Sequence, residues 1–264
     1  MQTLLAPKTY ASVSPFRETE LVKLDRIIEQ ELITPYYQPV VALDTGTIFA
    51  YEALTRICPP GGFSSPEELF TTAACHGLTP GLEKLCRKKA LTRATELGIR
   101  ERLFINVCPE VLQSTAHERG ATAALLNELG IERSRVTFEL TERTMISDYQ
   151  LFNRVLSYYR GQGYSIAIDD LGSGYAGLKM LAELEPDYVK LSRFLIDGID
   201  TSATKQALVE SLLTFCNRTG ARVIAEGIER AEELHYLKSI GITYGQGYLL
   251  GKPAPAPVAA PSPS

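Results

Sequence analysis

The chain is poor in the residues that soft metals and redox chemistry rely on. Its five cysteines, Cys58, Cys75, Cys86, Cys108 and Cys216, are odd in number, scattered and without a CxxC pair. This argues against a disulfide framework or a cysteine zinc site and suits reduced thiols packed in a core. The three histidines, His76, His117 and His235, fall in helical or loop patterns with no ligand-like spacing, so a histidine zinc site is disfavoured as well. There is no basic excess: the net charge is -4, which argues against broad attraction to DNA, RNA or an anionic membrane. No apolar run is long enough to span a bilayer, and the opening MQTLLAPKTYASVSPF lacks the basic flank and long apolar core of a signal peptide. These absences lead to the expectation of a cytoplasmic protein with neither a nucleic-acid nor a membrane partner.

What is present suits a soluble α/β protein. The 264 residues, 45% hydrophobic and 22% charged, are enough for one α/β barrel or two small domains. Residues 1–17 form a polar, proline-containing lead, and LVKLDRIIEQEL then reads as an amphipathic helix beginning near Glu20. From residue 254 the alternating Ala and Pro of APAPVAAPSPS leave no periodic apolar face, so residues 254–264 are expected to be an extended or disordered tail. No Pro/Ser/Gly-rich linker or charge block interrupts residues 18–253, which favours one continuous domain.

Within that span strand-like and helix-like segments alternate. Strands are predicted at PYYQPVVAL, TIFAYEAL, RLFINV, RVTFEL, SIAIDD, YVKLS, RVIAEG and YGQGYLL, all rich in β-branched and aromatic residues. Helical patterns such as PGLEKLCRKKALTRATEL, SDYQLFNRVLSYYRGQ and TKQALVESLLTFCNRTG separate most of them. The alternation implies βαβ crossovers, except that the short LDTGT between the first two strands predicts a hairpin. A barrel of mostly parallel strands with one irregular entry is the first reading, and an open doubly wound sheet is the alternative.

Nearly every strand carries a polar residue toward its C-terminal end: Glu52, Asn106, Glu139, Asp169 with Asp170, Lys190, Glu226 and Gln246. Any one of these could be a solvated strand end, but in a parallel barrel all of them share the catalytic face. If the five carboxylates converge, neighbours about 5 Å apart at an effective dielectric of about 20 repel by roughly 3 kcal/mol each. Lys190 offers one positive charge. Two divalent cations would supply the balance, and all-oxygen ligation favours Mg²⁺ or Mn²⁺. Such a pair suits displacement at phosphorus, where it activates a water and stabilises the leaving oxygen.

The ordered motifs YQPVVALDTG, YEALTR, FINV, FELTE, IDDLGSGY, DYVKL, VIAEGIE and QGYLLGKP resemble those of the bacterial EAL-domain phosphodiesterases, which hydrolyse cyclic di-GMP. The resemblance covers roughly residues 20–253 and implies a modified TIM (β/α)8 barrel with one antiparallel strand. It also implies Glu52, Asn106, Glu139 and Asp169 as ligands of one metal, and Asp169, Asp170 and Glu226 as ligands of a second. Lys190 would position the attacking water, with Gln246 near the same cluster. Glu142 would hold the loop after Asp170, and Gln38, Leu54 and Arg56 would contact substrate. The implied product is linear pGpG, and the implied partner is a second copy docking through Asp170 to Tyr175. Ser192 stands where the family usually has an aspartate two residues after the lysine. That departure keeps open a catalytically weak domain acting as a cyclic di-GMP receptor or protein-interaction module. Leu250, in place of a common aromatic, is expected to weaken guanine stacking. A Schiff-base role for Lys190 in an aldolase-like barrel is disfavoured, because the surrounding carboxylates would keep the lysine protonated.

Overall fold

The computed structural model describes residues 19–109, 120–142, 146, 148–174 and 176–257. The expected lead of residues 1–17, Tyr175 and residues 258–264 lie outside the described residues. The chain begins with α1 (Glu20–Glu29), whose first turn is capped by the Thr19 hydroxyl accepting the Val22 N–H. Strands β1 (Ile33–Ala42) and β2 (Ile48–Ile57) follow as an antiparallel hairpin. Next come α2 (Pro66–Cys75), α3 (Thr79–Glu96), β3 (Arg102–Asn106), α4 (Ala121–Leu129), β4 (Val136–Thr141), α5 (Tyr149–Gly161) and β5 (Ser165–Leu171). The last part holds α6 (Gly177–Leu184), β6 (Tyr188–Leu191), α7 (Arg193–Ile196), α8 (Ala203–Thr219), β7 (Arg222–Ala225), α9 (Ala231–Ser239) and β8 (Tyr244–Gly245). The strands close in chain order into a barrel, and β1 runs antiparallel to both of its neighbours, β2 and β8, while the other pairs are parallel.

Two-residue periodicity divides each strand between two cores. One set of residues faces the helices and joins the main apolar cluster, as Tyr51, Leu103, Ile105, Phe138, Ile168, Val189 and Val223 do. The alternate set fills the barrel: Val40, Ala50, Phe104, Ala167, Tyr188 and Ile224 are buried together, with Phe49 and Tyr244 packed against them. Phe104 meets Tyr188 edge to face with centroids 5.3 Å apart. Its complete burial contributes roughly 1.5–3 kcal/mol. Below this layer Arg102 donates to the hydroxyls of Thr137 (3.1 Å) and Ser165 (3.2 Å), and Arg102 and Arg222 both lie over the Tyr188 ring. Among the described residues the barrel floor is therefore filled by side chains.

Two expectations need correction here. The YGQGYLL stretch is not a full strand, since regular pairing stops after Gly245. Gly247 then packs so closely on the Ile228 backbone that a Cβ there would overlap it, and Leu249 and Leu250 turn back through bonds to Ile228 and Gly247. Because β8 is so short, the far half of β1 is paired with β2 on one edge but lacks a strand on the other. Ala254 fills that place, exchanging both backbone hydrogen bonds with Tyr37 at 2.8 and 3.1 Å. The segment expected to be a loose tail from residue 254 thus starts as an ordered closing bridge.

The contact at Gly247 generates a signed pair of outcomes. Gly247→Ala must displace main chain and is expected to destabilise by about 3 kcal/mol or more. Gly81→Ala, in α3 with open space around its Cβ position, is expected to stabilise by roughly 0.5–1 kcal/mol. Urea unfolding of the two variants beside the unaltered chain checks both signs.

Candidate functional site

Two residues beyond the apolar layer inside the barrel lies a polar one. Ala50 is followed by Glu52, Phe104 by Asn106, Thr137 by Glu139, Ala167 by Asp169, Tyr188 by Lys190, Ile224 by Glu226 and Tyr244 by Gln246. On the reversed strand β1 the equivalent step runs from Val40 back to Gln38, which faces Glu52 in register. One layer therefore collects a polar side chain from every strand.

At its centre is Lys190, fully buried. Its Nζ is 2.7 Å from Glu139 Oε1, 2.8 Å from Glu226 Oε1, 2.9 Å from Asp169 Oδ1 and 3.1 Å from Glu52 Oε2. Glu52 also accepts from Gln246 Nε2 at 2.8 Å, and Asn106 Nδ2 donates to Glu52 (3.4 Å) and Glu139 (3.3 Å). Gln38 Nε2 donates to the Gly251 carbonyl at 3.2 Å. In the fold the lysine is the hub of this layer.

With all four carboxylates ionised, the one ammonium would leave three negative charges without a counter-charge. Burial, with the neighbouring carboxylates adding to it against the pull of Lys190, pushes Glu139 and Glu226 well above the usual carboxylate range. Burial works against the Lys190 ammonium, but Asp169, Glu139, Glu226 and Glu52 outweigh it and hold the lysine charged to well above its ordinary value. Glu139 Oε1 and Asp169 Oδ1 contact the ammonium without hydrogen-bond alignment, and Gln246 Oε1 is buried with no hydrogen-bond partner among the described residues. Excess negative charge, unsatisfied oxygens and an all-oxygen donor set together fit hard divalent cations. Among the described residues no three His, Cys, Asp or Glu side chains form a ready-made cation site; the carboxylates instead surround Lys190. Cation binding therefore requires a local rearrangement about the lysine. Asn106 would also need a half-turn of its amide to present oxygen rather than nitrogen.

Asp170 is not among the carboxylates paired with Lys190. Between β5 and β6 three steps on one strand, Ile168 to Leu171, match two on the other, Val189 to Leu191. Asp170 takes up the extra residue at φ 60°. This bulge breaks the alternation that would send adjacent side chains to opposite faces. Just beyond it the backbone is clamped: Glu142, 3% exposed, accepts the N–H of Gly172 (2.7 Å) and of Gly177 (2.9 Å). Its own N–H donates to the Asp169 carbonyl at 3.1 Å. Gly172 and Gly177 are needed for this close fit. A Cβ at Gly172 would stand 2.8 Å from Leu195, and one at Gly177 would stand 2.8 Å from the Glu142 carboxyl carbon.

Leu54, Arg56 and Asn106 line one cavity of about 320 Å³ between β2, β3 and the helices α2 and α3. Arg56 lies over the Tyr36 ring, 5.4 Å from its centroid, and donates to the Thr55 carbonyl. Gln38 and Gln246 do not line that cavity and stand with the carboxylate layer. Ser192 is buried, donates its N–H to the Leu171 carbonyl at 3.0 Å and leaves its Oγ without a hydrogen-bond partner. Leu250 is 7% exposed and packs in the core. Two further buried glutamates escaped sequence reasoning. Glu83 in α3 accepts the Cys108 N–H at 2.6 Å, and Glu233 in α9 accepts several backbone N–H groups. The spacing Arg230-x-x-Glu233 at a helix start, the position of a capping-box glutamate, was the available signal for the second.

The ion-pair geometry separates Lys190 from surface lysines. Lys190→Met is expected to cost roughly 3–5 kcal/mol in EDTA, because it strands several buried carboxylates. Lys88→Met, which removes an exposed pair with Glu31 at 2.8 Å, should cost less than about 1 kcal/mol. Urea denaturation of both variants measures the contrast, and equal small losses would contradict the hub.

Comparison with known proteins gives a family match. The family model described as "EAL domain" matches residues 22–253. The chain is 30% identical over 241 residues to the cyclic di-GMP phosphodiesterase PdeB of Shewanella oneidensis, covering 89% of this chain and 28% of that protein. It is 31% identical over 221 residues to the cyclic di-GMP phosphodiesterase PA2567 of Pseudomonas aeruginosa, covering 82% and 38%. The chain spans less than half the length of these curated relatives. Among solved structures, a standalone EAL protein from Vibrio cholerae O395 in its c-di-GMP-bound form superposes with a TM-score of 0.75 at 29% identity, covering 85% of this chain and 93% of that one. Klebsiella pneumoniae BlrP1, in a manganese and cyclic di-GMP complex, gives a TM-score of 0.77 at 32% identity, covering 84% and 56%. A closed barrel with one antiparallel strand, a layer of carboxylates at its open end and a family match over nearly all the described residues lead to one statement: the chain belongs to the EAL-domain family.

Proposed function

We propose that this chain hydrolyses cyclic di-GMP at the open end of its barrel, with two divalent cations, Mg²⁺ or Mn²⁺, as cofactors. The observation that carries this reading is the convergence of Glu52, Glu139, Asp169 and Glu226 in one layer about Lys190. In the reaction a water oxygen bonds to phosphorus and the bond to one ribose 3′ oxygen breaks, giving linear pGpG. Glu52, Asn106, Glu139 and Asp169 would hold one cation, and Asp169, Asp170 and Glu226 the other. Cations held there would supply Lewis-acid polarisation of the phosphate and ease deprotonation of the attacking water.

The chain's own groups do the rest. Lys190, released from part of its carboxylate shell, can hold the attacking water through Nζ, with Glu226 beside it in the reacting layer. Gln246 fixes the Glu52 carboxylate. Glu142 keeps the Asp169–Asp170 turn in place by clamping the backbone that follows. Arg56 suits a phosphate through its guanidinium fork, and Leu54 and Gln38 complete the substrate contacts. The homodimer belongs to the same reading: Asp170 to Tyr175 forms the docking segment, and Leu178 and Phe194, 74% and 65% exposed, lie on the adjoining helices α6 and α7. Among the described residues no helix is long and apolar enough to cross a membrane, and the working compartment in this reading is the cytoplasm.

Ser192 supports a second reading, a cyclic di-GMP receptor with little turnover, since this position carries no charge to set beside Lys190. One assay decides between them. The purified chain is incubated with cyclic di-GMP in Mn²⁺ or Mg²⁺ and the nucleotides are separated by chromatography, with Asp169→Asn in parallel. The hydrolase reading expects pGpG from the unaltered chain and at least about a 100-fold lower rate from Asp169→Asn. Tight binding with no pGpG in either metal would establish the receptor instead.

A further inference from the structure

Glu233 is 1% exposed, yet it lies in a surface helix and is absent from the carboxylate layer. Both of its oxygens are used. Oε1 accepts from Gly198 N–H and from Arg230 Nε, each at 3.0 Å, and Oε2 accepts from the N–H groups of Glu229 and Arg230, each at 3.1 Å. These donors come from two loops. Gly198, at φ 69°, belongs to the segment that leaves β6 through α7, and Glu229 and Arg230 belong to the segment that leaves β7.

The same two loops are joined at other points. Glu226 N–H donates to the Leu191 carbonyl at 3.0 Å. Gly227 lies so close to α7 that a Cβ would stand 2.6 Å from the Arg193 side chain. Arg193 pairs with Glu229 at 3.1 Å, and the Arg230 guanidinium also pairs with Asp200. Burial alone would raise the Glu233 carboxyl, but the three backbone N–H groups and Arg230 outweigh it and hold the carboxyl below its ordinary value. The group is therefore an anion at neutral pH, matched to four donors.

We propose that Glu233 is a positioning residue that ties the exits of β6 and β7 together and so fixes Lys190 and Glu226 relative to each other. The consequence for cation binding rests on the function proposed above; the tie itself does not. Lys190 lies two residues before Ser192, where α7 is capped, and Glu226 three residues before Glu229, so movement of either exit moves a member of the carboxylate layer. Two other buried glutamates follow the same plan at other strands: Glu142 clamps the backbone after Asp169, and Glu83 holds Cys108 just beyond Asn106. Each bonds at least one backbone N–H beyond a site-bearing strand, which makes Glu233 one of three such clamps.

The test compares Glu233→Gln with Tyr236→Phe. The second variant removes a hydroxyl on the same helix that donates to Glu210 at 2.6 Å, away from the tie. Hydrogen exchange by mass spectrometry on the whole chain is expected to be at least tenfold faster in residues 189–200 and 222–230 of Glu233→Gln, and unchanged there in Tyr236→Phe. A Mn²⁺ titration followed by electron paramagnetic resonance is expected to show an affinity about tenfold weaker for Glu233→Gln only. Unchanged exchange at both exits overturns the tie, and so does equal loosening by Tyr236→Phe. Faster exchange with unaltered Mn²⁺ affinity overturns the link to Glu226. An unaltered chain that binds no Mn²⁺ defeats the functional reading, and the exchange arm then decides the tie by itself. If Glu233→Gln does not fold, Glu233→Asp keeps the charge and withdraws the oxygens by one methylene, with the same pattern expected.

Discussion

The architecture of the open end depends on the contact between one ammonium and four carboxylates. A lysine with no solvent exposure survives inside a barrel only because Glu52, Glu139, Asp169 and Glu226 come within about 3 Å of it, and those acids tolerate each other only because it is there. The arrangement is compensated but not neutral. Its residual negative charge is what an incoming cation would meet, and the energy of the metal-free cluster sets how readily the lysine yields its place. Structure and proposed chemistry thus share one electrostatic balance.

That balance rests on the buried apolar layer beneath it. Phe104, Tyr188 and Ile224 fill the barrel, and Arg102 braces the floor through Thr137 and Ser165. Lys190 itself is 0% exposed, so its charge contacts are screened less than those of a surface lysine. Two helices and the turn after β4 contribute from outside. Glu142, Glu83 and Glu233 bond backbone N–H groups in the loops between strand and helix, so the layer is braced from its perimeter as well as from its centre.

Much of this was legible in the sequence because strands repeat every two residues. Once SIAIDD or RVIAEG reads as a buried strand leading to an acid, parallel pairing puts those acids on one face. The hairpin at LDTGT was equally plain, and it accounts for the single antiparallel strand. Other features could not be read locally. Asp170 looks like the twin of Asp169, but a register shift against β6 separates them, and register is a property of two strands. The depth of Lys190 depends on where four distant acids point. The early end of β8 follows from the crowding of Gly247 against Ile228, a contact between residues 19 apart in sequence, and the anchoring of Ala254 on β1 follows from it in turn. Glu233 offered only the spacing of a helix cap, which says nothing of the second loop it reaches.

The central claim is that the layer around Lys190 is a divalent-cation site in waiting. Anomalous diffraction from crystals soaked in Mn²⁺ tests it most directly. The account predicts two anomalous peaks among Glu52, Asn106, Glu139, Asp169, Asp170 and Glu226, with Lys190 drawn away from part of its carboxylate shell. Crystals equilibrated with millimolar Mn²⁺ that show no peak there, with all four carboxylates still closed on the ammonium, would contradict it.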